Sequence, residues 1–227
     1  MNKRLQTIAG MIPDGRGLID VGTDHGYLPV WLAESGYTGR LFASDINHAP
    51  LASARKTARE AACEDRIRFL LCDGLEDCPP DAIDTIVIAG MGGDLICGIL
   101  DRAEWCMTGV YTLILQPMTK AEVLRYWLVN NGFHLTEERL VRDGGILYQV
   151  IRAQFEDNMT LSDAELYSGA FENIRNEALC AEWLEALICR FEKEERGLLS
   201  AAAVKEGRLA ICRSVLRGLA EMKGKMP

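Results

Sequence analysis

One short stretch of the 227-residue sequence combines glycines with acidic and aromatic side chains. Residues 20–29 read Asp-Val-Gly-Thr-Asp-His-Gly-Tyr-Leu-Pro and follow an apolar run, which is typical of a strand-to-helix turn. Glycine lets the backbone approach a ligand that a Cβ would hold away, and the following helix N-terminus offers free N–H groups. Gly22 and Gly26 therefore predict a ligand-binding turn.

The charges of this turn indicate which ligand it suits. The dinucleotide fingerprint G-x-G-x-x-G is absent, because Asp24 stands where its second glycine would be. Asp20 and Asp24 would repel a pyrophosphate, whereas they suit a ligand that carries an ammonium and a sulfonium group, such as S-adenosylmethionine. The alternative is that both carboxylates only cap the helix and tie down the loop.

Two further acidic side chains follow predicted strands. Asp45, with Ile46 after it, closes the second strand, where a carboxylate can accept both hydroxyls of a ribose. Asp73-Gly74 follows the third strand. A carboxylate there can accept the exocyclic amine of an adenine, or it can belong to an ordinary turn.

Glycines follow the fourth predicted strand, and an amide follows the fifth. The glycine segment would expose backbone beside the same pocket; it comprises Gly90, Met91, Gly92 and Gly93. Asp94 precedes a helix and is predicted to be its N-cap. Gln116 lies at the same sheet edge, where it could orient a nucleobase or only satisfy the loop.

The elements that must position these residues alternate between short apolar runs and helical stretches, which is typical of βαβ units. Strands are predicted at 18–21, 41–44, 67–71, 85–89, 111–115, 133–136 and 146–151, and helices at about 28–34, 49–62, 95–103 and 120–130. No helix separates the last two strands, so one strand near the edge should be antiparallel. The predicted fold class is α/β, with a Rossmann-like sheet of seven mostly parallel strands that resembles the sheet of class I methyltransferases.

After residue 155 the pattern becomes helical. Residues 164–222 carry two apolar stripes: Leu179, Trp183, Leu187 and Phe191, then Val204, Ile211, Val215, Leu219 and Met222. A break near Arg196-Gly197 predicts an antiparallel helical hairpin, coiled-coil-like, which could bind a partner or merely pack. The predicted domains are therefore 1–155, which binds the cofactor, and 156–227, the hairpin.

Composition narrows the function classes. The chain has 33 acidic and 25 basic side chains, a net charge of −8, and no apolar run of about 18 residues, so a membrane span is excluded and a nonspecific nucleic-acid coat is disfavoured. Residues 205–227 nevertheless carry a local charge of +4 that could meet phosphate; the basic residues are Lys205, Arg208, Arg213, Arg217, Lys223 and Lys225.

The eight cysteines and the first residues indicate a cytoplasmic protein. No C-x-x-C occurs, so no metal site is predicted, and cysteines within apolar patterns are typical of reduced core residues. The opening residues have no long apolar segment of an export signal. Neither a P-loop nor a nucleophile elbow is present. The oligomeric state stays open, with a monomer favoured.

The motifs together resemble the bacterial tRNA (adenine-22-N1)-methyltransferase family, TrmK. The resemblance rests on residues 20–29, 73–76, 88–93 and 115–117, and on the opening segments 3–9 and 12–13. It implies methyl transfer from S-adenosylmethionine to N1 of an adenine in the D-arm region of tRNA, and a helical hairpin that helps to hold the tRNA. Met118 departs from the family's usual Asn, and Asp45 from its common Glu.

The implied reaction needs alignment more than acid–base chemistry. N1 of adenine has its own in-plane lone pair, so the step is an in-line displacement that requires no strong base. The target base must be exposed or flipped and then held by stacking and edge contacts, for which the candidates are His25, Tyr27 and Gln116. For the phosphates, we expect a basic face built from Arg208, Arg213 and Arg217, with Lys3, Arg4, Arg55, Lys56 and Arg59.

Three alternatives remain open at this point. The same cofactor turn would serve a methyltransferase that acts on a small molecule or a protein. A noncatalytic module could bind the cofactor and use the hairpin as an interaction surface. A nicotinamide oxidoreductase ranks third, because the glycine spacing is wrong for it.

Overall fold

The computed structural model describes residues 1–156, 159–201 and 205–226. Its strands are β1 (Gly17–Val21), β2 (Arg40–Asp45), β3 (Ile67–Leu71), β4 (Thr85–Gly92), β5 (Thr112–Thr119), β6 (Phe133–Asp143) and β7 (Ile146–Phe155). Its α-helices are α1 (Lys3–Ala9), α2 (Tyr27–Glu34), α3 (His48–Glu60), α4 (Gly93–Asp101), α5 (Ala121–Asn130), α6 (Asp163–Ser168), α7 (Phe171–Ile174), α8 (Cys180–Ser200) and α9 (Glu206–Gly224).

The strands form one sheet in the order β3-β2-β1-β4-β5-β7-β6. Strands β1 to β5 pair in parallel, and β7 runs antiparallel to both of its neighbours. The predicted fold class, a Rossmann-like sheet of seven mostly parallel strands, is therefore confirmed. The strand order reverses between β1 and β4, and ligands of such sheets bind at the carboxyl ends of the strands at this switch point.

The last two strands are longer than their apolar pattern predicts. They pair, with one irregularity in register at Thr136, up to a turn formed by Gly144 and Gly145, both with positive φ. The outer half of β6 is rich in charged residues, which hid it from a search for apolar runs. Leu140 and Leu147, near the tip of this hairpin, pack with the helices that follow the sheet.

The fourth strand continues through the glycine segment instead of ending before it. It pairs with β5 as far as Gly92, with irregular register around Met91. Helix α4 then begins at Gly93, whose backbone packs against the Lys120 carbonyl so closely that a Cβ would not fit. The prediction that Asp94 caps this helix is wrong: Asp94 lies in the first turn and pairs with Lys120.

The two long C-terminal helices form an antiparallel pair. Arg208 of α9 contacts Glu194 of α8, whereas Lys223, near the end of α9, contacts Glu185 near the start of α8. The predicted break near Arg196-Gly197 is wrong, since α8 continues to Ser200. A glycine in an exposed helix costs only about 1 kcal/mol, which does not by itself end a helix.

The apolar stripe of α9 also differs by one residue from the prediction. Ile211 is exposed, and its neighbour Cys212 is buried against α8 in its place. The predicted stripe residue Val204 lies outside the described residues. Among the described residues, no helix is both long enough and apolar enough to cross a membrane.

Candidate active site

A pocket of about 310 Å³ opens at the switch point of the sheet. Its walls come from α1, the turn between β1 and α2, and the end of β4. Six of the residues predicted from sequence line it: Asp20, Gly22, Asp24, His25, Tyr27 and Gly90. Arg4 of α1 lines it as well, so the opening helix takes part in the site.

The glycines of the β1–α2 turn are there for steric reasons. Gly22 has φ +69°, and a Cβ at this position would overlap the terminal methyl of Met91. Gly26 has φ +68°, and its Cβ would lie 2.9 Å from the Cβ of Ala54 in α3. Asp24 also takes positive φ, at +52°. The turn is therefore tight, and α2 begins directly after it at the pocket wall.

Asp20 is the buried acid of the pocket. Asp20 is only 6% exposed, and the Thr23 hydroxyl donates a hydrogen bond to its Oδ2 at 2.7 Å. Burial raises the pKa of Asp20 to about 7, against the opposing effects of Thr23 and the nearby Arg4 guanidinium. A carboxylate whose charge is poorly solvated favours a ligand that brings a positive group to it.

His25 and Tyr27 form an aromatic pair at the rim. Their ring centroids lie 5.4 Å apart with an interplanar angle of 28°, and Tyr27 is 52% exposed. The His25 Nε2 lies 3.6 Å from Asp24 Oδ2, which favours one orientation of the imidazole. Two exposed rings that lie nearly parallel offer a surface on which a planar base can stack.

The residues predicted at the ends of β2 and β3 lie farther along the same sheet edge. Asp45 is buried, and its Oδ1 accepts a hydrogen bond from the Asn47 N–H at 2.9 Å, while Ile46 is exposed beside it. Asp73 forms an ion pair of 3.0 Å with Arg102, a partner that the sequence did not reveal. Gly74 is needed for packing, because its Cβ would press against Ile99.

The glycine segment of β4 contributes backbone and one side chain. Gly90 is exposed at the pocket with φ +82°. Met91 turns its terminal methyl over Gly22 and so joins β4 to the β1–α2 turn. Gly92 is the residue that precedes the first turn of α4. The segment thus shapes the pocket wall and carries no charge into it.

Gln116 lies beside the pocket and is not among the residues that line it. It is fully buried, and its Nε2 donates to the Pro117 carbonyl at 2.9 Å. Its Oε1 accepts from the Arg4 guanidinium, whose carbon lies 5.8 Å from the centre of the Tyr148 ring. The oxygen and the nitrogen of the Gln116 amide therefore both have hydrogen-bond partners. Gln116 and Tyr148 together hold Arg4 beside the pocket.

The basic face expected around the chain end is largely neutralised. Within α9, Arg208, Arg213 and Lys223 pair with glutamates of α8. In α3, Arg55 and Arg59 pair with Glu64, and Lys56 with Glu60. Each of these six side chains has a carboxylate within ion-pair distance, and all except Lys56, whose partner is in the same helix, join neighbouring elements. Their contact with phosphate stays a prediction.

Some cations of the long helices do stay without a carboxylate in the described part of the chain. In α8 they are Arg190, Lys193 and Arg196; in α9 and directly beside its two ends they are Arg217, Lys205 and Lys225. Within the same described ranges, no cluster of three or more His, Cys, Asp or Glu side chains could hold a metal ion. Seven cysteines are buried and Cys189 is exposed, all as free thiols.

This fold and pocket define a class I, Rossmann-like methyltransferase domain, and the family described as "Methyltransferase domain" matches residues 1–151. The tRNA (adenine(22)-N(1))-methyltransferase of Bacillus subtilis (strain 168) is 32% identical over 193 residues, which cover 82% of this chain and 81% of that protein. The chain belongs to the tRNA (adenine(22)-N(1))-methyltransferase family, as its motifs predicted.

Solved structures are similar over nearly the whole chain, including its helical end. The crystal structure of the B. subtilis M1A22 tRNA methyltransferase TrmK has a TM-score of 0.85 at 28% identity and covers 98% of each chain. A Streptococcus pneumoniae structure in complex with S-adenosyl-L-methionine has a TM-score of 0.81 at 27% identity, over 98% of this chain and 99% of that one.

Proposed function

We propose that the protein transfers a methyl group from S-adenosylmethionine to N1 of adenine 22 of tRNA. The observation that carries this proposal is the switch-point pocket, in which a buried acid, Asp20, lies close to an exposed aromatic pair, in a chain that belongs to this family. The S. pneumoniae structure similar to this chain contains S-adenosyl-L-methionine. We also propose that the protein works in the cytoplasm, where tRNA is found.

The residues of the pocket fit this cofactor. Asp20 would face its positive groups, and the backbone of the β1–α2 turn at Gly22, Asp24, His25 and Gly26 would lie along its amino-acid portion. When bound, S-adenosylmethionine supplies an electrophilic methyl group on a sulfonium sulfur.

The remaining cofactor contacts would come from the sheet edge beyond the pocket. Asp45 is the acceptor for the ribose hydroxyls, and the exposed Ile46 beside it gives an apolar surface for the adenine ring. Asp73 is the acceptor for the exocyclic amine, although its pairing with Arg102 must then be shared. The backbone of Gly74 and the wall formed by Gly90, Met91 and Gly92 complete the site.

For the target base, the protein supplies alignment. The lone pair at N1 of adenine is already available, so the chain has to hold the ring against the reacting carbon, and good orientation can lower a barrier by about 7 to 11 kcal/mol. Tyr27 and His25 are the residues that we assign to stacking on the flipped adenine. Gln116 acts indirectly, as the residue that positions Arg4 at the pocket wall.

We assign the helical part of the chain, residues 156–227, to holding the tRNA outside the reaction pocket. Its similarity to the B. subtilis structure extends over this part, since 98% of each chain is covered. The acidic net charge of −8 means that phosphate contacts must come from a local surface.

Methyl transfer to unmodified bacterial tRNA tests the proposed function. The protein is incubated with labelled S-adenosylmethionine and tRNA, and the product is digested and mapped by mass. We expect 1-methyladenosine at position 22, and no product when a transcript carries guanosine at that position. Cofactor binding without transfer to any tRNA would overturn the proposal.

A further inference from the structure

A second cavity, of about 280 Å³, lies between the sheet domain and the helices that follow it. The β5–α5 turn forms one wall, β7 the floor, and α6 and α8 the opposite wall. The residues that line it include Pro117, Met118, Tyr148, Tyr167, Trp183 and Arg190. We call this cavity the interhelix groove.

The interhelix groove is next to the reaction pocket. Pro117 and Met118, which line the groove, directly follow Gln116, which binds Arg4 of the pocket. Tyr148 belongs to the groove, and its ring lies against the Arg4 guanidinium. A polymer whose target base enters the pocket would therefore have its neighbouring residues close to this groove.

Aromatic and apolar side chains form much of the wall of the groove, beside the polar Lys120, Glu122, Gln149 and Arg190. Trp183 is half-buried, and its indole N–H donates to the Ser168 carbonyl at 2.9 Å, so the polar edge of this ring is already satisfied. Tyr167 packs edge-on against Phe191, with 4.8 Å between ring centroids. Met118 is an exposed apolar side chain at the lip. Aromatic and apolar surfaces of this kind hold unpaired bases, at about 1–3 kcal/mol for each stacked base.

Positive charge leads out of the groove along α8. Arg190 lines the groove and is exposed, with its guanidinium carbon 6.0 Å from the Tyr167 ring centre. Lys193 and Arg196 follow at three-residue spacing, so each lies about 4.5 Å farther along the helix axis. In the described ranges none of the three has a carboxylate partner, whereas three cations of α9 do.

We propose that the interhelix groove is a second nucleotide subsite, which holds a base next to the target adenine, and that the RNA backbone continues along Arg190, Lys193 and Arg196. This proposal rests on the proposed function. We assign the phosphate contacts to α8 because its three cations without a carboxylate partner lie next to the aromatic rings of the groove, and the groove is next to the reaction pocket. The sequence favoured the six basic residues of 205–227 for phosphate contacts, but three of the six pair with glutamates of α8.

Two triple variants with the same charge change test the phosphate track. One carries Arg190→Gln, Lys193→Gln and Arg196→Gln; the matched control carries Arg40→Gln, Arg66→Gln and Arg68→Gln, three exposed arginines around β2 and β3 to which no role in binding is assigned. Dissociation constants for tRNA are measured at several salt concentrations. We expect the α8 triple variant to bind tRNA at least tenfold more weakly and to flatten the plot of log K against log salt by about 2 to 3, since each phosphate contact contributes about 0.7 to 0.9. The control should match the wild type, and both variants should keep its cofactor affinity.

A pair of single variants tests the groove itself. Met118→Glu places a negative charge at its lip, whereas Val110→Glu places the same charge at a site before β5 that is not part of the groove; the two native side chains are 46% and 53% exposed. We expect Met118→Glu to raise the KM for tRNA at least tenfold with cofactor affinity unchanged, and Val110→Glu to leave KM as in the wild type.

The outcomes separate this inference from the proposed function. A wild type that methylates tRNA while the two triple variants bind tRNA equally, or the two Glu variants share one KM, overturns the subsite alone. A wild type that methylates no tRNA overturns the proposed function.

Discussion

Arg125 of α5 and Glu138 of β6 form an ion pair that is closed off from solvent. The guanidinium Nε and Nη2 donate to the same carboxylate oxygen at 2.8 and 2.7 Å, and both side chains are almost completely buried. The remaining Nη1 donates to the Leu166 carbonyl, and the other carboxylate oxygen accepts from the Ala170 N–H. The pair therefore joins the sheet to α6 and to the segment that leads into α7.

The buried pair makes a prediction about stability. Arg125→Met leaves the Glu138 carboxylate buried without its partner, so we expect a loss of about 3–5 kcal/mol in the free energy of unfolding. The double variant Arg125→Met/Glu138→Leu removes both charges and should recover most of that loss. Urea denaturation measures both values. A single variant within about 1 kcal/mol of the wild type would contradict the structural role of the pair.

The second prediction concerns the pH dependence of cofactor binding. Burial raises the pKa of Asp20 to about 7, so below that pH the free protein holds a neutral acid that must lose its proton to pair with a positive ligand. Affinity for S-adenosylmethionine should therefore rise with pH up to about 7 and level off above it. Titration calorimetry between pH 5.5 and 8.5 measures the profile. Asp20→Asn should bind more weakly and without this dependence, and a wild-type profile equally flat would refute the assignment.

Asp20 also makes a prediction for the stability of the free protein. Its folded-state pKa is raised, so the folded state holds a proton that the unfolded state has released between pH 4 and 7. The contribution of Asp20 to the free energy of unfolding is therefore fully present at about pH 4 and is lost as the pH rises towards 7. In the absence of cofactor, the difference in melting temperature between the Asp20→Asn variant and the wild type (variant minus wild type) should increase from pH 4 to 7 and stay constant above pH 7. A difference that shrinks with rising pH would have the wrong sign.

The aromatic pair at the pocket rim predicts a split between two substitutions of one residue. Tyr27→Phe keeps the ring next to His25 and should retain most of the activity. Tyr27→Ala removes it, and we expect kcat/KM for tRNA to fall by about 5- to 150-fold, which corresponds to about 1–3 kcal/mol for one stacked base. Steady-state kinetics at saturating cofactor measures both. Equal loss in the Phe and Ala variants would assign the effect to the hydroxyl instead of the ring.

The sheet and most of the pocket could be predicted because their signals are local. The apolar runs mark the strands, and Asp20, Gly22 and Gly26 belong to one turn whose chemistry is visible in ten consecutive residues. Gln116 was different, since its burial depends on Arg4, which is 112 residues away in the chain. The residues around an amide at a strand end do not indicate which distant side chain will form a hydrogen bond with it.

The charges of the hairpin show the same limit. Arg208 and Arg213 look free in the sequence, and only the alignment of α9 on α8 brings Glu194 and Glu195 to them. Arg190 lies among several glutamates in the sequence and therefore attracts no attention there. Its exposure and its place at the groove follow from how α8 packs on the sheet domain.

The tip of the β6–β7 hairpin sets how independent the two parts of the chain can be. Leu140 is buried among the residues of α6 to α9, and Leu147 packs against them, so the core of the helical part includes side chains that the sheet supplies. A chain cut after residue 155 would expose Leu140 to water. We therefore expect the two parts of the chain to unfold together, and loss of the helices by proteolysis to weaken the sheet domain itself.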